Sequence, residues 1–197
     1  MERNQKPETS NQKKNSAQTK QLVRFGLILS SICFIASLVL AVTYEVTKPV
    51  IEAQARSEEE KALAALLPEA DRFEKKDIEE IEYYSGYKKD RLIGYCVKAV
   101  GNGYGGFFHM IVAIGRDGII KGIEILDHQE TPGLGSKIKE IRQGEDAPWF
   151  LRQFKGKDGR KIQLKDIDAI TGATISSRAV TDTVNKSINE FLAKVKK

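Results

Sequence analysis

The residues best suited to chemistry fall in two short stretches of the C-terminal half. Asp168 to Thr174 reads D-A-I-T-G-A-T and is followed by Ile175, Ser176, Ser177 and Arg178. This is the pattern of a loop feeding a helix N-terminus. Gly172 and Ala173, after Thr171, allow close backbone approach, and Thr174 presents a hydroxyl just before free helix N–H groups. Such a terminus favours negative charge through its unpaired donors and its dipole. Arg178, four residues on, shares that face and can pair with a phosphate. A phosphoester on Thr174 would therefore sit in a stabilising field. On physics alone the plainer role is favoured, with Thr174 or Ser176 as an ordinary N-cap.

The second stretch, His128 to Gly135, reads H-Q-E-T-P-G-L-G. Gly133 and Gly135 permit backbone geometries closed to other residues, which suits a loop that approaches a ligand. A plain surface loop is an equal reading. His128 and Glu130 invite a metal or general-base role. The chain holds only two histidines, His109 and His128, and neither of its two cysteines has C-x-x-C spacing, so a metal centre is not expected. Both His128 and Glu130 are read as shaping the loop. A third stretch, Gly101 to Gly106 (GNGYGG), matches G-x-G-x-x-G. A dinucleotide fingerprint needs a helix after it, and here the apolar run Phe107 to Ile114 reads as a strand. The glycines belong to a β–β connection.

These stretches must be held by a fold. Ile81 to Tyr84, Leu92 to Val100, Phe107 to Ile114 and Ile119 to Leu126 read as strands of an antiparallel meander, with turn signals between them. Ser136 to Arg142 and Pro148 to Phe154 read as short helices, with Trp149 and Phe150 as core. Val180, Val184, Ile188, Leu192 and Val195 fall on one face of a C-terminal helix that starts near Ser176. The expected class is α+β: a twisted antiparallel sheet packed by helices.

Ahead of this domain, 71–197, the chain changes character. Phe25 to Tyr44 is an apolar run without a charge, long enough as a helix to cross the roughly 30 Å hydrocarbon core of a bilayer. It is longer than a signal-peptide core and lacks a clear small-residue cleavage pattern, so an uncleaved transmembrane helix over 21–44 is expected. Residues 1–20 are polar and are expected to be a disordered tail. Residues 45–70 read as a stalk helix, with Pro49 a place for a kink or restart and Pro68 its end. Arg3, Lys6, Lys13, Lys14, Lys20 and Arg24 precede the apolar run, against Lys48 and Arg56 just after it. That asymmetry places the N-terminus in the cytoplasm and the domain on the other side of a cell membrane. The formal net charge of +5 lies mostly in the tail, which speaks for membrane orientation and against nucleic-acid binding. Cys33, in the apolar run, and Cys96, in a strand, cannot meet in a disulfide.

The residues Asp168, Thr171, Gly172, Ala173 and Thr174 fit D-x-x-[ST]-G-A-[ST], which resembles the flavinylation sequence of FMN-binding domains. In those domains the last hydroxyl residue accepts FMN from a flavin transferase. The anchor, the single domain, the TPGLG stretch and this motif, in that order, resemble the G subunit of the Rnf electron-transport complex over nearly the whole chain. The resemblance implies an electron-transfer subunit of an ion-translocating ferredoxin:NAD oxidoreductase, partnered by other membrane and peripheral subunits. It implies FMN held covalently as a phosphoester of Thr174. Glu130, Thr131, Gly133, Leu134 and Gly135 would lie beside the flavin, with Tyr104, Ser176, Ser177 and Arg178 near it. A tether at the phosphate leaves the ring free, and no independent catalytic site is expected. The third subunit of the sodium-pumping quinone reductase shares the domain but usually carries an insertion before the sheet, for which Pro68 to Ile81 leaves little room. A membrane-tethered binding or assembly module, with Thr174 as a mere cap, is the alternative from another class.

Overall fold

The computed structural model describes residues 8–195, with side chains from residue 20 onward. The chain divides into two units, at Ala55 and Arg56. Helix α1 spans Glu8–Leu66. It begins well inside the stretch expected to be a disordered tail, and residues 1–7 of that tail lie outside the described residues. Lys, Gln and Ala are adequate helix formers, and extending an existing helix avoids the cost of nucleating one. Pro49 sits inside α1 and starts no new helix. Among the described residues the apolar stretch of α1 is not buried, and Phe25, Leu29, Phe34 and Leu40 are all exposed. A helix apolar on every side needs an apolar surround. Three of its hydroxyls are satisfied internally: Ser31 Oγ donates to the Ile28 carbonyl, Ser37 Oγ to Cys33 and Thr43 Oγ1 to Val39, each at 2.8 Å. Such back-bonding is what a lipid environment asks of hydroxyls.

In the second unit five strands form one antiparallel sheet in chain order: β1 (Arg72–Ile78), β2 (Ile81–Lys88), β3 (Arg91–Asn102), β4 (Phe107–Gly115) and β5 (Ile120–His128). The meander has one strand more than the sequence suggested, since β1, RFEKKDI, shows no run of apolar residues. It is an edge strand, and its Lys75 and Lys76 guard an open edge. Glu79 and Glu80, then Lys89 and Asp90, have positive φ and make the two-residue turns that join β1 to β2 and β2 to β3.

The sheet is covered on both faces, which is why β4 reads as a continuous apolar run. On one face Phe108, Met110, Val112 and Ile114 join Ile123 and Ile125 of β5 in the main core. Helix α3 (Thr174–Val195) closes that core with Val180, Val184, Ile188 and Phe191. Leu192 and Val195 carry the stripe on, half-buried against the core, and Phe191 beside them is fully buried, packing edge-on to Tyr83 and Tyr95 at 4.9 and 5.1 Å between ring centroids. Each such side chain contributes about 1.5–3 kcal/mol on burial. On the other face Ile111, Ala113 and Cys96 meet Ala62, Leu63 and Leu67, the last turns of α1 and the residue beyond it. Burial pushes the Cys96 thiol up to about 12, so it serves as a small apolar residue. Lys98 fastens this face, reaching Glu59 at 2.7 Å and Glu82 at 3.1 Å.

The connection from β5 to α3 holds 3-10 turns at Gly135–Lys139 and Leu164–Asp166 and the short α2 (Trp149–Arg152). The two helices expected here are therefore shorter than the sequence suggested. Phe150 is fully buried, and Trp149 lies under the Arg142 guanidinium, 3.9 Å from its ring centroid. Neither lines the site described next.

Candidate functional site

The loop before α3 is built from apolar anchors and four side-chain hydrogen bonds. Ile167, Ile170 and Ala173 are buried, which pins one side of the loop to the core. Ser177, also buried, turns its Oγ back to accept from the Ile170 N–H at 3.0 Å and donate to the Ala173 carbonyl at 3.0 Å. Gln153 clamps the backbone of Asp168: its Oε1 accepts the Asp168 N–H at 2.7 Å and its Nε2 donates to the Asp168 carbonyl at 3.1 Å. Gly172 takes φ +80°, a conformation that favours glycine, and the chain then turns into α3.

Helix α3 starts at Thr174 rather than near Ser176. Thr174 is thus its first residue, exposed, and its hydroxyl makes no hydrogen bond among the described residues. It does not act as the side-chain cap that the sequence alone favoured. The N–H groups of Thr174, Ile175 and Ser176 precede the first bonded donor, the Ser177 N–H, which reaches the Ala173 carbonyl at 3.0 Å, and they stand free, as a helix start leaves them.

The loop after β5 is organised around Glu130. That residue is only 5% exposed. Its Oε1 accepts the Tyr104 N–H and its Oε2 the Gly105 N–H, both at 3.2 Å, which ties the β3–β4 hairpin to the loop. The Glu130 N–H in turn donates to His128 Nδ1 at 3.3 Å, so both residues shape the loop as expected from the sequence. Of the GNGYGG glycines, Gly103 has its explanation here: a Cβ on it would lie 1.7 Å from Glu130 Oε1, and a Cβ on Gly135, in the second loop, 2.3 Å from Oε2. Neither position has room for a side chain beside the carboxylate. Further round the loop, Ser136 Oγ accepts the Gly133 N–H at 2.9 Å.

The two loops meet. Leu134 Cδ2 lies 3.4 Å from where a Cβ on Gly172 would be. Between them opens a cavity of about 430 Å³. Tyr104, Glu130, Thr131, Leu134 and Gly135 line one side, and Gly172, Ala173, Thr174, Ile175 and Ser176 the other. Nine of these ten were expected as site residues. Ile175 was not, although it lies off the apolar stripe of α3, which was its one visible signal. Asp168, Thr171, Gly133, Ser177 and Arg178 do not line the cavity. Ser177 and the Asp168 backbone position the loop, Gly133 lies within the second loop, and Thr171 and Arg178 are exposed nearby in sequence. A hollow of about 500 Å³ lined by Leu66, Ile123, Ile141 and Leu151 contains none of the motif residues.

The cavity falls in the roughly 300–1,000 Å³ range of small-molecule and cofactor pockets. Its walls are apolar where Tyr104, Ile175 and Leu134 stand 72%, 59% and 48% exposed. Its polar groups are the free N–H groups of α3, the Thr174 hydroxyl, the Glu130 carboxylate and the Ser176 hydroxyl. Ser176 is 2% exposed and makes no hydrogen bond among the described residues. An anion fits at the helix terminus, a flat apolar ring between the exposed side chains, and hydroxyl or N–H groups against Glu130 and Ser176. A flavin mononucleotide has all three parts. Among the described residues no cluster of His, Cys, Asp and Glu could hold a metal ion.

Comparison with known proteins gives the same organisation. The FMN-binding domain family matches residues 103–189, and the RnfG N-terminal region matches residues 14–66. The chain is 33% identical over 169 residues to the G subunit of the proton-translocating ferredoxin:NAD(+) oxidoreductase complex of Clostridium ljungdahlii, covering 82% of this chain and 87% of that one. It is 36% identical over 193 residues to the G subunit of the Na(+)-translocating ferredoxin:NAD(+) oxidoreductase complex of Acetobacterium woodii, covering 87% and 92%. A crystal structure of Shewanella oneidensis NqrC aligns over 64% of this chain and 70% of that one, at 24% identity and a TM-score of 0.44, a likeness too slight to argue from.

Proposed function

This chain belongs to the RnfG family, the G subunits of ion-translocating ferredoxin:NAD(+) oxidoreductase complexes, and from that premise we propose that it is the complex's electron-transfer subunit, with FMN held as a phosphoester of Thr174. The observation that carries this reading is the Thr174 hydroxyl, exposed and unbonded at the first residue of α3, opening on a cavity lined by both motif loops. Bound FMN supplies the redox chemistry, taking up electrons from one partner and giving them to the next.

The chain's own residues hold that group. The free N–H groups and dipole of α3 would receive the phosphate's negative charge. Tyr104, Leu134 and Ile175 would offer apolar surface to the ring. Glu130 and Ser176 would accept from its hydroxyl and N–H groups. Attachment would form a bond from Thr174 Oγ1 to the FMN phosphorus, release the hydroxyl proton and break an anhydride bond from that phosphorus to a leaving phosphate. The donor is therefore an activated flavin nucleotide, and a flavin transferase performs the transfer. Once made, the ester keeps the cofactor at high effective concentration in its own cavity.

The basic flank before the apolar stretch of α1 orients the chain with its N-terminus in the cytoplasm and the FMN domain on the opposite side of the membrane. The partners are the other subunits of the complex, and electron flow through them is coupled to ion movement across the membrane.

The test is the intact mass of the full-length chain under denaturing conditions, produced with and without a flavin transferase. The proposal expects a gain of one FMN less one water with the transferase, and none for Thr174→Ala. A folded Thr174→Ala chain that still carries flavin after denaturation contradicts it.

A further inference from the structure

Groups of opposite character line the cavity. Thr174 and the free N–H groups of α3 make a place for an anion. Glu130 stands in the same wall, with both oxygens accepting hydrogen bonds, as a carboxylate's do. Ser176 Oγ, in the first turn of α3, is close to it: it lies 2.9 Å, and Glu130 Oε2 2.3 Å, from the same point, the position of a Cβ on Gly135. The carboxylate is enclosed by Gly103, Gly135 and the backbone of Tyr104 and Gly105, so little solvent screens it.

On the FMN reading above, we propose that Glu130 lowers the reduction potential of the cofactor. The cavity of about 430 Å³ keeps any ring it holds close to this carboxylate. Reduction adds electrons to the ring. A fixed negative charge in the same cavity opposes that gain. At roughly 10 Å and an effective dielectric of about 20, one unit charge shifts an equilibrium by more than tenfold. Tenfold corresponds to about 30 mV for a two-electron couple. The same carboxylate also holds the Tyr104–Gly105 turn in place, so its two roles must be separated by experiment.

The experiment compares the full-length chain with Glu130→Gln and Glu130→Asp, each produced with a flavin transferase. Denaturing intact mass reports attachment, and spectroelectrochemical titration reports the midpoint potential. Wild type must first show one attached FMN; if it shows none, it is the functional reading that fails. With wild type loaded, Glu130→Gln is expected to keep its flavin at a midpoint potential at least about 30 mV higher. Glu130→Asp, with the charge retained, is expected to stay near the wild-type potential. A loaded Glu130→Gln chain with unchanged potential overturns the proposal. If Glu130→Gln takes up no flavin, Glu130→Asp must still load and keep the wild-type potential. Loss of flavin in both, or a raised potential in the aspartate variant, leaves Glu130 with a structural role alone and also overturns it.

Discussion

The loop before α3 is fastened from behind, by Ser177, Gln153 and a row of buried apolar side chains that, Ala173 apart, never reach the cavity. The loop after β5 is fastened from within, by a carboxylate that is itself part of the cavity wall. On the proposed reading, the residue that the first loop offers to chemistry, Thr174, makes no hydrogen bond among the described residues, and in the second loop one residue, Glu130, serves folding and function together. A covalent tether suits the first arrangement, since an ester on Thr174 displaces no existing interaction.

Substitutions sharpen the contrast. The largest effect is expected from Thr174→Ala: complete loss of covalent flavin, with the thermal midpoint of the flavin-free chain unchanged, because an exposed and unbonded side chain is worth less than about 0.5 kcal/mol. Glu130→Ala should instead lower both. It leaves two N–H groups without their acceptor and opens space in the wall, at a cost of about 1–3 kcal/mol read by denaturant titration. Ser177→Ala should cost about 1–2 kcal/mol, from the lost tie to Ile170, and should leave the Thr174 hydroxyl able to take flavin more slowly. Equal stability losses in Thr174→Ala and Ser177→Ala would break the distinction between the two roles.

A smaller effect is expected away from both loops. Burial raises the Glu82 carboxyl, but ion pairs with Lys75 and Lys98 outweigh it and hold the group below its ordinary value of 4.5. A depressed folded value contributes stability that is present above about 4.5 and lost as the pH falls through the folded value. Glu82 remains partly open to solvent, so the loss should stay under about 1 kcal/mol. Acid titration of Glu82→Gln against wild type below about pH 4.5 would show it as a shallower decline in the variant.

Much of this was legible in the sequence. The apolar run of α1, four of the strands and the stripe of α3 announce themselves by period and length, because burial on one face imposes that period. β1 did not. RFEKKDI is a strand because β2 pairs with it, and nothing local in Phe73 to Ile78 reports that. The start of α3 at Thr174 was missed by two residues, since Thr and Ser each read as caps. The glycines of GNGYGG join two strands, as their sequence suggests, but the reason for Gly103 is Glu130, far along the chain and adjacent only after β4 and β5 pair. Ile175 was overlooked for the same kind of reason. An exposed isoleucine means little until Tyr104 and Leu134 are seen across the cavity from it.

The central claim, that Thr174 and no neighbouring hydroxyl carries FMN, is tested most directly by peptide mapping. Trypsin cutting after Lys165 and Arg178 releases Asp166–Arg178, which contains Thr171, Thr174, Ser176 and Ser177. Digestion of the denatured full-length chain, produced with a flavin transferase, followed by fragmentation of that peptide, should place the added mass on Thr174. The same peptide found unmodified, with the transferase active on another substrate, or modified at Thr171, Ser176 or Ser177, would contradict the account.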